Sequence, residues 1–187
     1  MVVMPDSPKT LARMGGRKLA RIVYTGEEIA ARVAEMGHEI AEAYPLDEPL
    51  LVLGLLKGSF IFLSDLVREI ARPLHVDFIV ASSYGSGTVT SGHVDLLYDP
   101  SISLEGKHII LVEDIVDSGT TLSRLIPMLE ERGPKSLEIC TLLHKHLASN
   151  LAREPRWVGF DAPHEFLIGY GLDHSEDFRN LPFIGSL

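Results

Sequence analysis

A single cysteine, Cys140, stands among 187 residues, so no internal disulfide can staple this chain. The thiol lies inside the apolar run Leu137 to Leu143 and reads as a packed core side chain, a usage that fits the cytoplasm. Long hydrophobic runs are missing as well. Leu50–Leu56 and Phe60–Leu63 are interrupted by Lys57 and Asp65, far short of the roughly 20 residues a membrane helix needs. The N-terminal segment carries Lys9, Arg13, Arg17, Lys18 and Arg21 but no apolar stretch, which argues against a secretory signal. Residues 1–23 read instead as a basic, mobile extension, with one domain over 24–187. Positive charge is in deficit: 17 Lys and Arg face 26 Asp and Glu, a formal charge of -9, which argues against a surface built to lie along nucleic acid. Small molecules or metal cations are the expected partners. An anionic ligand would need a local cluster of basic side chains and backbone N–H groups, or a bound divalent cation. Two phosphate-binding patterns are also absent. Without Gly-x-x-x-x-Gly-Lys-Ser/Thr, or Gly-x-Gly-x-x-Gly after a strand, neither a P-loop enzyme nor a dinucleotide oxidoreductase is indicated.

What is present is a regular alternation of elements. Thr25 and Glu28 have the form of a capping box, and Ile29, Val33, Met36 and Ile40 then recur at helical spacing. Leu50–Leu56 is short and wholly apolar, as in a strand buried on both faces. Helix is expected over Phe60–Ile70, strand over Val76–Ala81 and Lys107–Val112, helix over Thr120–Arg132 with Pro127 inside it, and strand over Ser136–Leu143. Between Ser82 and Gly92 lie three glycines, four serines and two threonines, a composition unable to bury itself and suited to a flexible lid loop. The pattern predicts an α/β fold with a mostly parallel twisted sheet flanked by helices, and a small C-terminal subdomain.

The most informative segment runs from Ile109 to Leu122. It joins a buried strand to the adjacent acids Glu113 and Asp114, then to Asp117-Ser118-Gly119-Thr120-Thr121 at a helix start. Loop N–H groups and the helix dipole at such a place suit an anion, and a phosphate monoester would fit. The same residues would also serve an ordinary strand-to-helix turn with Asp117 or Ser118 as N-cap. Adjacent acids after a buried strand repel each other unless a sugar, cation or water satisfies them, which favours a binding role.

Val112 to Thr121 closely resembles the phosphoribosyl pyrophosphate signature of the phosphoribosyltransferases, and its Glu-Asp-Ile-hydrophobic-Asp form resembles the hypoxanthine-guanine branch. Leu56-Lys57-Gly58 is similar to that branch's pyrophosphate loop, Ser82-Ser83-Tyr84-Gly85 to its lid, and Leu143-His144-Lys145 to its base-recognition strand. Phe166 to Asp173 and Phe178 to Pro182 resemble its hood. The resemblance implies the type I phosphoribosyltransferase fold, with transfer of phosphoribose from 5-phosphoribosyl-1-pyrophosphate to hypoxanthine or guanine, giving IMP or GMP and pyrophosphate. It further implies Mg2+ as cofactor and a homodimer or homotetramer, with neither nucleic acid nor membrane as partner.

Roles follow from the same resemblance. Asp117 faces the purine N7 and handles its proton; Glu113 and Asp114 hold the ribose hydroxyls; Asp117, Ser118, Gly119, Thr120 and Thr121 hold the 5-phosphate. Lys57 and Gly58 meet pyrophosphate through the backbone, beside a cis peptide in the family, and Arg179 neutralises the leaving group. Glu113, Asp114 and Asp173 are the metal carboxylates. Ser83 and Tyr84 close over the site, Lys145 reads the base, Phe166 stacks on it, and Leu167 offers it backbone groups. Read without the family, Phe166 is core and Asp173 and Arg179 are surface charges. A regulatory protein of the same fold, sensing phosphoribosyl pyrophosphate and binding nucleic acid, is the alternative, as is a transferase for adenine, orotate or xanthine.

Overall fold

Alternate side chains of the strand β2, Leu50–Leu56, enter two different cores. Leu50 and Val52 pack with Ile29, Val33, Met36 and Ile40 of one helix and Phe62, Leu63 and Leu66 of another, whereas Leu51, Leu53 and Leu55 pack with Leu122, Leu125, Ile126 and Leu129 of a third. Period-two alternation with both faces apolar is what a strand sandwiched between helical layers requires. The structure, a computed structural model, describes residues 7–82, 95–147, 151 and 153–187.

Helices α2 (Gly26–Glu42) and α3 (Phe60–Glu69) cover one face and α4 (Thr120–Glu130) the other. The expected capping box opens α2: Thr25 Oγ1 accepts from the Glu28 N–H at 3.2 Å, and Glu28 Oε2 accepts from the Thr25 N–H at 2.8 Å. Strands β3 (His75–Ser82), β4 (Asp95–Tyr98), β5 (His108–Val116), β6 (Ser136–His144) and β7 (Trp157–Asp161) complete a sheet ordered β4-β3-β2-β5-β6-β7, parallel except for β4. Chain direction across the sheet reverses between β2 and β5. The crevice beyond their C-terminal ends is where open parallel sheets bind ligands.

A second, antiparallel sheet ordered β1-β9-β8 joins β1 (Arg21–Tyr24), β8 (Leu167–Ile168) and β9 (Ile184–Ser186). This is the expected C-terminal subdomain, but it draws in the N-terminal segment. Strand β1 crosses the boundary expected at residue 24, and a short helix α1 (Pro8–Met14) plants Met14, 2% exposed, among Ile168, Phe178, Leu181 and Phe183. The basic segment is therefore seated on the hood from Ser7 onward. Its apolar anchors are Met14, Leu19 and Ile22, whose spacing fits no single helical or strand period. The proposed lid residues Ser83 and Tyr84 lie outside the described residues, as does most of Ser82–Gly92. Among the described residues, no helix is long and apolar enough to cross a membrane.

Candidate active site

Strand β5 runs further than its apolar core suggests. Its pairing with β6 continues through Glu113 opposite Thr141 and Ile115 opposite Leu143, so Glu113 and Asp114 stand inside the strand, not beyond it. Burial, reinforced by the Asp114 charge, pushes the Glu113 carboxyl well above the usual carboxylate range. Asp114 is raised as well, again chiefly by burial, while its Oδ1 accepts the Ile115 N–H at 2.9 Å.

After β5, Asp117 to Thr121 wrap a cleft of about 100 Å³ lined by Glu113 and the segment from Ile115 to Leu122. The helix that follows has Gly119, at φ 71°, as its N-cap and no side-chain cap hydrogen bond. Of the two expected capping residues, Ser118 reaches the Thr120 N–H through its Oγ at a long 3.5 Å, and Thr120 to Leu122 at the amino end of α4 line the cleft. Glycine suits that left-handed position because a β-carbon would be strained there.

Gly58 is wedged between the two halves of the molecule. A β-carbon on it would fall 1.6 Å from Asp114 Oδ2, and one on Gly171 of the hood would fall 2.1 Å from the Gly58 carbonyl oxygen. The peptide joining Leu56 to Lys57 is cis. These contacts bring the β2 loop, the β5 acids and the hood to one point. From the hood, Arg179 donates through Nη1 to the Gly171 carbonyl at 2.8 Å and pairs through Nη2 with Asp173 Oδ1 at 2.9 Å. It is not a loose surface charge: its side chain is 19% exposed.

At the end of β6, Lys145 extends its Nζ to Asp117 Oδ2 at 3.2 Å, with only 15% of its side chain exposed. Phe166 takes the opposite course from a core residue, being 54% exposed, and meets the His174 ring edge-on at 5.2 Å between centroids. Leu167 is buried in β8, opposite Ser186. Among the described residues, no three His, Cys, Asp or Glu side chains gather to enclose a metal by themselves.

Residues 21–175 match the phosphoribosyl transferase domain family. The hypoxanthine phosphoribosyltransferase of Salmonella typhimurium is 46% identical over 161 residues, covering 86% of this chain and 90% of that protein. The chain belongs to the hypoxanthine-guanine phosphoribosyltransferase family. A crystal structure of a hypoxanthine-guanine phosphoribosyltransferase from Bacillus anthracis superposes with a TM-score of 0.84 at 41% identity, over 91% of this chain and 99% of that one. The bifunctional protein TilS/HprT of Listeria innocua is 43% identical over 90% of this chain, which spans only 26% of that longer protein. The family assignment and the phosphoribosyltransferase fold agree with the resemblance read from Val112 to Thr121. One polar residue escaped that reading: Glu176, whose partners Lys57 and Arg179 are brought to it only by the tertiary fold.

Proposed function

We propose that the protein transfers the 5-phosphoribosyl group of 5-phosphoribosyl-1-pyrophosphate to N9 of hypoxanthine or guanine, forming IMP or GMP and pyrophosphate in purine salvage. The observation that carries this reading is the Lys145–Asp117 pair, whose Asp117 lines the same cleft as the start of α4. In this reading Lys145 is the donor for a 6-oxo group, Asp117 the proton acceptor, and Ser118 to Thr121 the anion cradle. N9 forms its bond to the sugar C1 as the C1–O bond breaks, and the pyrophosphate departs with the bonding pair. Asp117 takes the proton from N7, which keeps the imidazole ring from accumulating positive charge. Glu113 and Asp114 hold the ribose hydroxyls, and Ser118, Gly119, Thr120 and Thr121 hold the 5-phosphate. Lys57, Gly58 and Arg179 receive the pyrophosphate. Phe166 stacks on the base, Leu167 binds its edge, and Ser83 and Tyr84 exclude water from the electron-poor sugar.

Magnesium fits this donor set. Asp114, which lies against Gly58, and Glu113 and Asp173 offer hard oxygen ligands; among the described residues they do not gather into one three-carboxylate site, which suits an ion that keeps water and phosphate oxygens. When bound, it would neutralise charge on the leaving pyrophosphate. The protein works in the cytoplasm, which suits its buried free thiol, as a homodimer or homotetramer. Exposed Phe60, Phe78, Leu97 and Tyr98 support self-association, measurable by light scattering. The deciding experiment incubates the protein with phosphoribosyl pyrophosphate, magnesium and a panel of bases and identifies the nucleotide formed. IMP and GMP are expected. Salt-sensitive nucleic-acid binding without turnover would instead support the regulatory alternative.

A further inference from the structure

Two cations reach the same carboxylate from opposite halves of the molecule. Lys57, on the loop after β2, places Nζ 3.1 Å from Glu176 Oε1, and Arg179 of the hood places Nη2 3.1 Å from Glu176 Oε2. Each oxygen of one planar anion thus takes one cation, an arrangement that two oxygens of a phosphoryl group would reproduce. The bridge holds Glu176 below the ordinary carboxylate range, through Lys57 first and Arg179 second.

The turn that presents Glu176 is held in place. Ser175 and Glu176 have φ of 55° and 68°, a left-handed conformation that L side chains resist. The Glu176 N–H is fixed to Asp173 Oδ2 at 2.8 Å, and His174 and Asp177 exchange backbone hydrogen bonds of 3.2 Å across the turn. Arg179 does not depend on Glu176 for its position, because the Gly171 carbonyl and Asp173 already pin its guanidinium. With 64% of its side chain exposed, Glu176 can swing into solvent without disturbing any core.

We infer that Glu176 is an internal competitor for the diphosphate: its carboxylate occupies the cation pair Lys57–Arg179 in the free protein and is displaced when the polyanion enters. This rests on the proposed role of Arg179 and of the Lys57–Gly58 loop at the pyrophosphate, and it adds the Lys57 ammonium to the backbone contact given there. Displacement exchanges one anion for a stronger one and moves Glu176 away from the negative charge it would otherwise face. Exposed ion pairs are weak, so the carboxylate yields readily, yet ligand affinity falls with the fraction of molecules in which the cations are already engaged. Glu176 would thereby set the working affinity for the phosphorylated substrate and hasten release of the product diphosphate.

The test is calorimetric titration of inorganic pyrophosphate, with magnesium present, into the parent protein and into Glu176→Gln, Glu176→Ala and Arg179→Ala. Both Glu176 variants should bind pyrophosphate about 3- to 10-fold more tightly, the gain expected when an exposed carboxylate no longer competes. The gain should shrink as salt is raised. If Glu176 served only to orient Arg179 or to hold the metal, its replacement would weaken binding, and that result, or unchanged affinity in both variants, overturns the inference. Arg179→Ala separates the two layers of argument. Unchanged pyrophosphate affinity there removes the assignment of the cation pair itself, whereas weakened affinity with unaltered Glu176 variants removes the competitor alone.

Discussion

The ammonium of Lys145 lies 3.2 Å from Oδ2 of Asp117, joining the end of β6 to the loop that follows β5. In the proposed mechanism a purine would part them, meeting Lys145 at its carbonyl and Asp117 at its ring proton. Replacing Asp117 with asparagine keeps the shape and removes the proton acceptor. Turnover should fall by ~10²–10⁴-fold, with a much smaller change in the equilibrium binding of phosphoribosyl pyrophosphate. Turnover equal to the parent's would take Asp117 out of the chemistry.

Lys145 offers donors and no acceptor, so adenine would set its amino group against a largely buried positive charge. The parent should favour hypoxanthine over adenine by up to ~10⁴-fold in kcat/KM, and Lys145→Ala should lose most of that preference. Stacking on Phe166 contributes little to the choice because every purine has a similar face. A mutant with the full parental preference would show that recognition lies elsewhere.

Gly58 has no room for a side chain, since its β-carbon would overlap the Asp114 carboxylate. Gly58→Ala should displace Asp114 or the β2 loop, at a cost of about 1–3 kcal/mol for overpacking, and should abolish most activity. Thermal unfolding together with an activity assay reads both effects. A variant as active and stable as the parent would show that the junction is looser than described.

Met14→Ala empties a position in the cluster of Ile168, Phe178, Leu181 and Phe183. Removing a buried methionine side chain typically costs about 2–5 kcal/mol. The expected outcome is a lower melting temperature and a raised KM for phosphoribosyl pyrophosphate, because Phe178 adjoins Arg179 in the chain. An unaltered melt would return the N-terminal segment to the status of a dispensable extension.

Asp77 supplies the pH dependence. Burial alone would raise this carboxylate, but it accepts N–H groups from Phe78, Ser101 and Ile102 and the hydroxyl of Ser101, and the balance lies below the ordinary carboxylate value. A depressed value in the folded state contributes stability above the unfolded value and loses it as pH falls through the folded one. Asp77→Asn should therefore be less stable at neutral pH, by about 1–3 kcal/mol, and should show a shallower acid limb. Urea midpoints measured between neutral and acid pH test this; parallel curves for the two proteins would contradict it.

Much of this was legible in the sequence where chemistry is local. The two-sided burial of Leu50–Leu56 followed from its unbroken apolar character, and Thr25 with Glu28 announced the start of α2. The segment from Val112 to Thr121 pointed to the cleft after β5 because its parts are contiguous. Boundaries were less visible: β5 extends through its acids because β6 keeps pairing with it, a fact about the neighbour and not about Glu113. Phe166 reads as core from its residue type alone, yet it is 54% exposed, because whether an aromatic is covered depends on neighbours distant in the chain. Met14 and Glu176 were silent because each acquires meaning from residues distant in the chain.

The pairing of β1 with β9, Arg21 opposite Ser186 and Tyr24 opposite Ile184, has a consequence for how the molecule is born. A ribosome delivers β1 early and its partner late. The parallel strands can assemble as they emerge, since each lies beside one already made, but the small sheet waits for the final strand, and β8 waits with it. A nascent chain therefore carries a finished floor and an unroofed crevice. The crevice is roofed only once β9 has emerged, and a chain without β9 would fold its larger sheet yet lack the strand that joins β1 to β8.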